Sequence, residues 1–184
     1  MLSLHFTPFP VIETERLILR NLHQDDKNDL FEIRSNPTTM QYIPRPLAKT
    51  VDDASQVITM ILSFTSKNER INWAITEKGT NKLIGLIGYV NFKHESYRAE
   101  IGYVLNPNFT GKGIAQEALK AIVDYGFNVI NLHSIEAIIH THNQASIKLI
   151  EKSGFVKEAH FKDYVFHNNQ FHDEFVYSLI NPKP

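Results

Sequence analysis

Apolar positions along the 184 residues follow two periods, and the order in which those periods alternate sets the fold class. Arg16-Leu17-Ile18-Leu19-Arg20 alternates imperfectly and predicts a first strand. Asp25 and Asp26 precede Leu30, Phe31 and Ile33, with the acids placed to favour a helix N-terminus. Pro37, Pro44 and Pro46 make the next stretch a loop. From Val51, apolar residues recur at Ala54, Val57, Ile58, Ile61 and Leu62, a helical stripe. Three strand-like runs follow, Ile71 to Thr76, Leu83 to Phe92 and Ala99 to Leu105, with Gly79 and Asn81-Lys82 in the turn between the first two. Asn106-Pro107 ends the third. A second helical stripe opens at Ile114 and continues through Ala115, Ala118, Leu119, Ile122 and Val123. Ser134 to Ile139 reads as a buried strand, and Ala145 to Lys152 as a helix closed by Gly154 in a left-handed cap. Phe155 to Val165 and Phe171 to Leu179 finish the chain as strands around Asn168-Asn169. No repeat or linker interrupts the pattern. The chain reads as one α/β (α+β) domain over residues 1–184, with its core at about 13–180 and its strands and helices intermixed.

Composition narrows the partners. Hydrophobic residues at 42 % and charged residues at 21 % are enough for a buried core and exclude a disordered chain. The 19 basic and 20 acidic residues, net −1, leave no electrostatic footprint for nucleic acid or a membrane surface. The absence of cysteine excludes a disulfide framework, a thiolate zinc site and a cysteine nucleophile together. Met1 to Phe6 is apolar but has no basic flank and is cut short by Pro8 and Pro10, so no signal peptide is expected. The longest apolar stretch, Ile84 to Val90, contains Gly85 and Gly88 and is too short to span a bilayer. A cytoplasmic protein is expected.

One segment holds the chemistry. The strand Glu100-Ile101-Gly102-Tyr103-Val104-Leu105 passes through Asn106 to Thr110 into Gly111-Lys112-Gly113 and directly into the helix at Ile114-Ala115. The first N–H groups of a helix lack internal partners, and the helix dipole adds partial positive charge there. Two glycines let the backbone approach an anion closely, so a phosphate or pyrophosphate is the natural occupant. A Walker loop would need Ser or Thr where Gly113 stands, and a dinucleotide fingerprint would need a third glycine at Gln116.

The run Glu100 to Ala118, followed by Asn143-Gln144-Ala145-Ser146 and Gly154-Phe155, closely resembles the GNAT-type N-acetyltransferase superfamily. Thr14-Glu15-Arg16-Leu17 near the start is similar to the ribosomal-protein alanine/serine N-acetyltransferase (RimJ/RimL-like) branch. So are Phe161-Lys162-Asp163-Tyr164 and Gln170-Phe171-His172-Asp173 near the end. The resemblance covers roughly Glu13 to Leu179. It implies a central mixed, mostly antiparallel twisted sheet of about 6–7 strands flanked by about 4 helices, with the cofactor in a splay between two strands. It implies acetyl-CoA as cosubstrate and no metal. Backbone groups of Tyr103, Val104 and Leu105 would pair with the pantetheine arm, and those of Thr110, Gly111, Lys112, Gly113, Ile114 and Ala115 would hold the pyrophosphate. Asn143 resembles the asparagine that hydrogen-bonds the pantetheine region, although Asn is also a good helix N-cap.

The chain departs from the pattern at three places. Asn108 stands where Gln or Arg is usual, and Thr110 where this branch often has Trp; neither removes a backbone N–H. Ile150 stands where many members have a tyrosine that acts as general acid, so that mechanism does not transfer.

Other roles follow from the chemistry. A protein α-amino group, with a pKa of ~7.7–8.0, costs about 1 kcal/mol to neutralise at pH 7, against ~4.6 kcal/mol for a lysine side chain. A modest base is sufficient for an N-terminus, and Glu100 is the candidate; its structural alternative is a salt-bridged strand residue. Ser146, three residues after Asn143, is the candidate donor to the leaving thiolate, or a capping serine. Tyr42, Tyr164, His172 and Asp173 are candidates for the acceptor groove, or else ordinary strand-end packing. His140-Thr141-His142 lacks an accompanying acid or cysteine, so no metal site is expected. The activity expected is transfer of acetyl from acetyl-CoA to a primary amine, foremost a peptide or protein N-terminus. The alternatives are a small amine (polyamine, amino sugar, amino acid or drug) or a CoA-binding module without transfer. A monomer or homodimer is expected, with an amine acceptor as partner.

Overall fold

The computed structural model describes residues 1–182. Eight strands form a single sheet: β1 (Ile12–Glu13), β2 (Leu17–Arg20), β3 (Ile71–Glu77), β4 (Leu83–Lys93), β5 (Arg98–Leu105), β6 (Ser134–His140), β7 (Val156–His167) and β8 (Gln170–Ile180). Their order is β1-β2-β3-β4-β5-β6-β8-β7, antiparallel throughout except for the parallel β5–β6 pair. The helices are α1 (Lys27–Arg34), α2 (Pro37–Met40), α3 (Val51–Ser66), α4 (Ile114–Asn128) and α5 (Gln144–Lys152). None is long and apolar enough to cross a membrane among the described residues.

The near-continuous apolar runs of β3 and β4 reflect burial on both faces. On one face Leu19, Trp73, Ile87 and Ile101 pack with Ile122 of α4 and Ile150 of α5. On the other, Ala74 and Leu86 pack with Leu30 and Ile33 of α1 and Ile58 of α3. Thr50 and Asp53 form a capping box that starts α3. Gly154, at φ +87°, ends α5 in the left-handed conformation expected of it. The structure has more elements than the periodicity predicts because two are very short. β1 has two residues, paired with Leu19 and Ile18, and α2 is a single turn capped by the Asn36 side chain. Segments of that length present no period to read.

The feature that makes a site is where β5 and β6 stop pairing. They are partners only at Arg98↔Ser134, Ala99↔Ile135 and Glu100↔Glu136. Beyond that point β6 stays on β8 as far as His140↔Glu174, while β5 stays on β4 as far as Leu105↔Gly85. At the same level β4 has an extra residue, Val90, between Tyr89↔Ile101 and Asn91↔Glu100. Such a bulge bends and twists its strand, which helps to turn β5 away from β6. The two facing edges therefore diverge with unpaired backbone groups.

Ile150 has no exposure and packs inside the core on the α4–α5 face. Ile150→Ala is expected to lower the unfolding free energy by about 2–5 kcal/mol in a urea titration, the usual cost of emptying a core position. An unchanged midpoint with unchanged slope would show that this residue does not support the core.

Candidate functional site

The turn after β5 is built by local side chains. Buried Asn106 accepts a hydrogen bond from the Asn108 N–H at 3.0 Å, and the Thr110 hydroxyl donates to the Pro107 carbonyl at 2.8 Å. Gly111 and Gly113 follow at φ +74° and +78°, and Gly113 is the N-cap of α4. A Cβ at Gly111 would meet nothing within 4 Å, so left-handed backbone, rather than crowding, dictates glycine there. Arg16 clamps the turn: Nη1 donates to the Lys112 carbonyl at 3.0 Å and Nε to Glu117 at 2.7 Å. Glu117 also accepts the Thr14 hydroxyl at 2.6 Å and the Arg16 N–H at 2.8 Å. Burial alone would raise the Glu117 carboxyl, but these hydrogen bonds prevail and hold it below its ordinary value. The β1–β2 corner thus fixes the first turn of α4, and a helix N-terminus of this kind is suited to an anion. Lys112 keeps its ammonium at the same end, 5.1 Å from the Phe109 ring centroid.

Between the diverging strands lies a cavity of about 380 Å³. Strand alternation sorts the side chains of β5 that line it. Tyr103 shares the face of Ile101, toward α5, whereas Glu100 shares the face of Val104, toward α3. Asn143 and Ser146 line the cavity from the start of α5. Asn143 is the N-cap of that helix, accepting from the Ser146 N–H at 3.1 Å, which leaves its amide N–H groups for a ligand. The capping alternative raised from sequence therefore holds without consuming the side chain. The Tyr103 hydroxyl is buried with no hydrogen-bond partner among the described residues. Burial pushes its pKa up to about 12.

The opposite wall is charged. Glu100 is raised above its ordinary value, first by burial and then by the charge of Glu136. Glu174 of β8, which does not itself line the cavity and is 5 % exposed, is pushed up to about 7 by burial and by Glu100. Arg34, Arg45 and Arg70 line the same cavity, with Tyr42 and His140. Tyr42 packs on His140 at 4.8 Å between ring centroids. His140 is fixed as a neutral ring by its contacts. The His172 Nε2–H donates to the His167 carbonyl at 3.0 Å, so its Nδ1 must accept the His140 Nε2–H, also at 3.0 Å. The His142 N–H then donates to His140 Nδ1 at 3.1 Å. Burial, and then the neighbouring histidines, lower His140 accordingly. Among the described residues no group of three or more potential ligands could hold a metal ion.

The four residues anticipated for the acceptor groove are distributed unevenly. Tyr42 lines the cavity, and His172 stands behind His140. Asp173 is engaged in the β7–β8 hairpin, accepting from His160 at 2.6 Å and from the Asp163 N–H at 3.0 Å. Tyr164 lies on that hairpin against Phe161. The sequence reading missed Arg34, Arg45, Arg70, Glu174 and the inward side chain of Tyr103. Only Tyr103 had a signal within its own segment, the alternation that puts it on the face of Ile101.

Comparison with known proteins gives the family. The acetyltransferase (GNAT) domain family matches residues 16–156. The chain belongs to the GNAT acetyltransferases. It is 34 % identical to the uncharacterized N-acetyltransferase YoaA of Bacillus subtilis (strain 168), over 95 % of this chain and 99 % of that protein. The crystal structure of a GNAT-family acetyltransferase from Bacillus anthracis superposes with a TM-score of 0.85 at 30 % identity, over 95 % of this chain and 100 % of that one. Two relatives from Escherichia coli (strain K12) have named acceptors. One is spermidine N(1)-acetyltransferase, 28 % identical over 83 % of this chain and 80 % of that protein. The other is [ribosomal protein uS5]-alanine N-acetyltransferase, 25 % identical over 93 % and 91 %.

Two outcomes are expected of this GNAT site. Gly111→Asp places a carboxylate at the cradle and should weaken acetyl-CoA binding by at least about tenfold in calorimetry, like charge opposing the pyrophosphate. Gly111→Asn, which tolerates a left-handed backbone, should weaken it far less. Equal affinities for the two variants would remove the turn from the binding site. Glu174 is raised in the folded state, so the stability it contributes is present below the ordinary 4.5 and is lost as pH rises through about 7. Glu174→Gln should therefore raise the melting temperature above pH 7 and leave it little changed below 4.5.

Proposed function

We propose that this GNAT enzyme acetylates the α-amino group of a peptide or protein N-terminus, the neutral amine attacking the acetyl-CoA thioester directly. The observation that carries the reading is the opening beyond Glu100↔Glu136, with a carboxylate on one face and two hydroxyls on the other. The unpaired edge of Tyr103 to Leu105 accepts the pantetheine arm, the backbone from Thr110 to Ala115 accepts the pyrophosphate, and the Asn143 amide donates beside the arm. Acetyl-CoA supplies an activated acetyl group and a thiolate leaving group.

Glu100 takes the ammonium proton as the amine enters. Its raised pKa brings it nearer the ~7.7–8.0 of an α-amino group, which makes it a better acceptor than an ordinary carboxylate. The charge of Glu100 in turn helps to raise Glu174. Ser146 and Tyr103 point their hydroxyls at the developing thiolate, the task for which Ile150 has no group. With the phenol held near 12, Tyr103 stabilises the thiolate by hydrogen bonding rather than by complete proton transfer.

A polyamine acceptor, as in the spermidine relative, fits the opposite wall poorly. Its second and third ammonium groups would lie in a cavity lined by Arg34, Arg45 and Arg70, against one lining carboxylate among the described residues, Glu100. Thiol release with acetyl-CoA, measured over N-terminal peptides and spermidine, tests the reading. Turnover of peptides is expected. Turnover of spermidine alone overturns it, and acetyl-CoA binding without turnover on any amine would mark a binding module.

Glu100→Gln should lower kcat/KM by roughly 10²-fold and remove the acidic limb of its pH profile, leaving the limb set by the amine. Ser146→Ala and Tyr103→Phe should each lower kcat by about tenfold with acetyl-CoA affinity unchanged, as expected for one hydrogen bond to a charged group. Unaltered turnover in both variants would leave the thiolate without a donor from this chain.

A further inference from the structure

The acceptor wall contains positive charge that the protein does not neutralise. Arg34 is the last residue of α1, and its side chain has no acceptor among the described residues; its Nε is buried and unpaired. Arg45 stands in the following loop, again with no carboxylate partner among the described residues. The segment is short and constrained: the Arg45 N–H donates to the Ile43 carbonyl at 2.7 Å, Pro44 and Pro46 flank it, and the Ala48 N–H ties the loop to the Arg34 carbonyl at 3.0 Å. Burial, and then the charge of Arg45, lower the pKa of Arg34, so the two guanidiniums repel each other. Arg70 differs, because it stacks over the Phe64 ring at 4.3 Å and interacts with Glu100.

Two guanidiniums held together without a counter-ion, one of them partly desolvated, are unfavourable in the free protein and become favourable when an anion arrives. A planar guanidinium is matched to the oxygens of a carboxylate or phosphate, and two together can grip one such group from two sides. The pyrophosphate is accounted for at the other end of the splay by the Gly111–Gly113 cradle. The position of the pair, on the α1–α3 side with Tyr42 and Glu100, belongs to the acceptor.

We propose that Arg34 and Arg45 form an anion subsite for the acceptor, so that the preferred substrate carries a carboxylate or phosphate a short distance from its reactive amine; the peptide form, an acidic residue just after the N-terminus, rests on the function proposed above. Glu100 receives the amine end and the arginine pair holds the anionic end, which gives the acceptor one orientation in the cavity. A cation in place of the anionic group meets the pair directly and is rejected.

The test is thiol release with three peptides of equal length that share a first residue and carry Asp, Asn or Lys at positions two to four. Spermidine and 2-aminoethyl phosphate form the small-molecule arms. In the wild type, the acidic peptide should exceed the lysine peptide in kcat/KM by at least about tenfold, as expected when a charge-assisted hydrogen bond stands in place of a like-charge repulsion. Arg45→Gln, at an exposed position that does not endanger folding, should bring the ratio close to one while leaving the acetyl-CoA dissociation constant unchanged; Arg45→Glu should invert it. A ratio that survives both changes, a preference for the lysine peptide, or a loss of acetyl-CoA affinity in either variant overturns the subsite. Turnover confined to 2-aminoethyl phosphate and dependent on Arg45 supports the subsite and overturns the peptide reading. Turnover confined to spermidine overturns both.

Discussion

A parallel strand pair keeps its hydrogen bonds only while both strands run side by side, and β5 and β6 do so for three residues. Each is then bound more extensively on its other side, β5 to β4 and β6 to β8. Those ladders, with the Val90 bulge, hold the two strands on diverging courses. Unpaired backbone groups inside a protein are costly unless something satisfies them. Here the gap opens at the surface, next to a helix whose own leading N–H groups are also unpaired. A long ligand with amides along its length and a diphosphate at its end satisfies both sets at once, which is the chemical outline of coenzyme A. In the function proposed, the remainder of the site takes its position from that line: Ser146 and Tyr103 on one face of the opening, Glu100 on the other.

The clamp on the glycine turn shows how a distant part of the chain serves the same constraint. Arg16, Thr14 and Glu117 join the β1–β2 corner to the glycine turn and the first turn of α4 through four hydrogen bonds of 3.0 Å or less. The carboxylate at Glu117 would by itself discourage an anion nearby. Its oxygens, however, are committed to Thr14 and Arg16, and Arg16 brings a compensating positive charge to the Lys112 carbonyl. The turn therefore keeps the electrostatic sign that the proposed pyrophosphate contact requires.

The periodic elements were legible because each is long enough to show its period: the stripes of α3 and α4, and the buried runs of β3 and β4. The cradle was legible because strand, glycines and helix are contiguous. β1 and α2 were not, being too short for a pattern. Nothing in the sequence marks Arg34, or Arg45 between Pro44 and Pro46. Their significance arises only when α1 and that loop are folded over β5. Glu174 likewise appears as one polar position among several in β8 until the sheet order brings it beside Glu100. Local chemistry is written in the sequence, whereas electrostatic coupling between distant segments is written in the topology.

The arginines of the cavity have little influence on Glu100. A carboxylate paired with guanidiniums is driven below its ordinary pKa, as Glu117 is by the hydrogen bonds it accepts. Glu100 shares a cavity with three arginines and is nonetheless raised. Burial and Glu136 outweigh the single arginine that acts on it, Arg70, which is the weakest of the influences. Arg34 and Arg45 therefore do not serve to hold Glu100 ionised. Had they done so, the carboxylate would be a poor base, because its affinity for the ammonium proton would fall with every unit of positive charge placed beside it. Separation of the two charge types within one cavity preserves the basicity of Glu100 and leaves the arginine pair free for an anion on the acceptor.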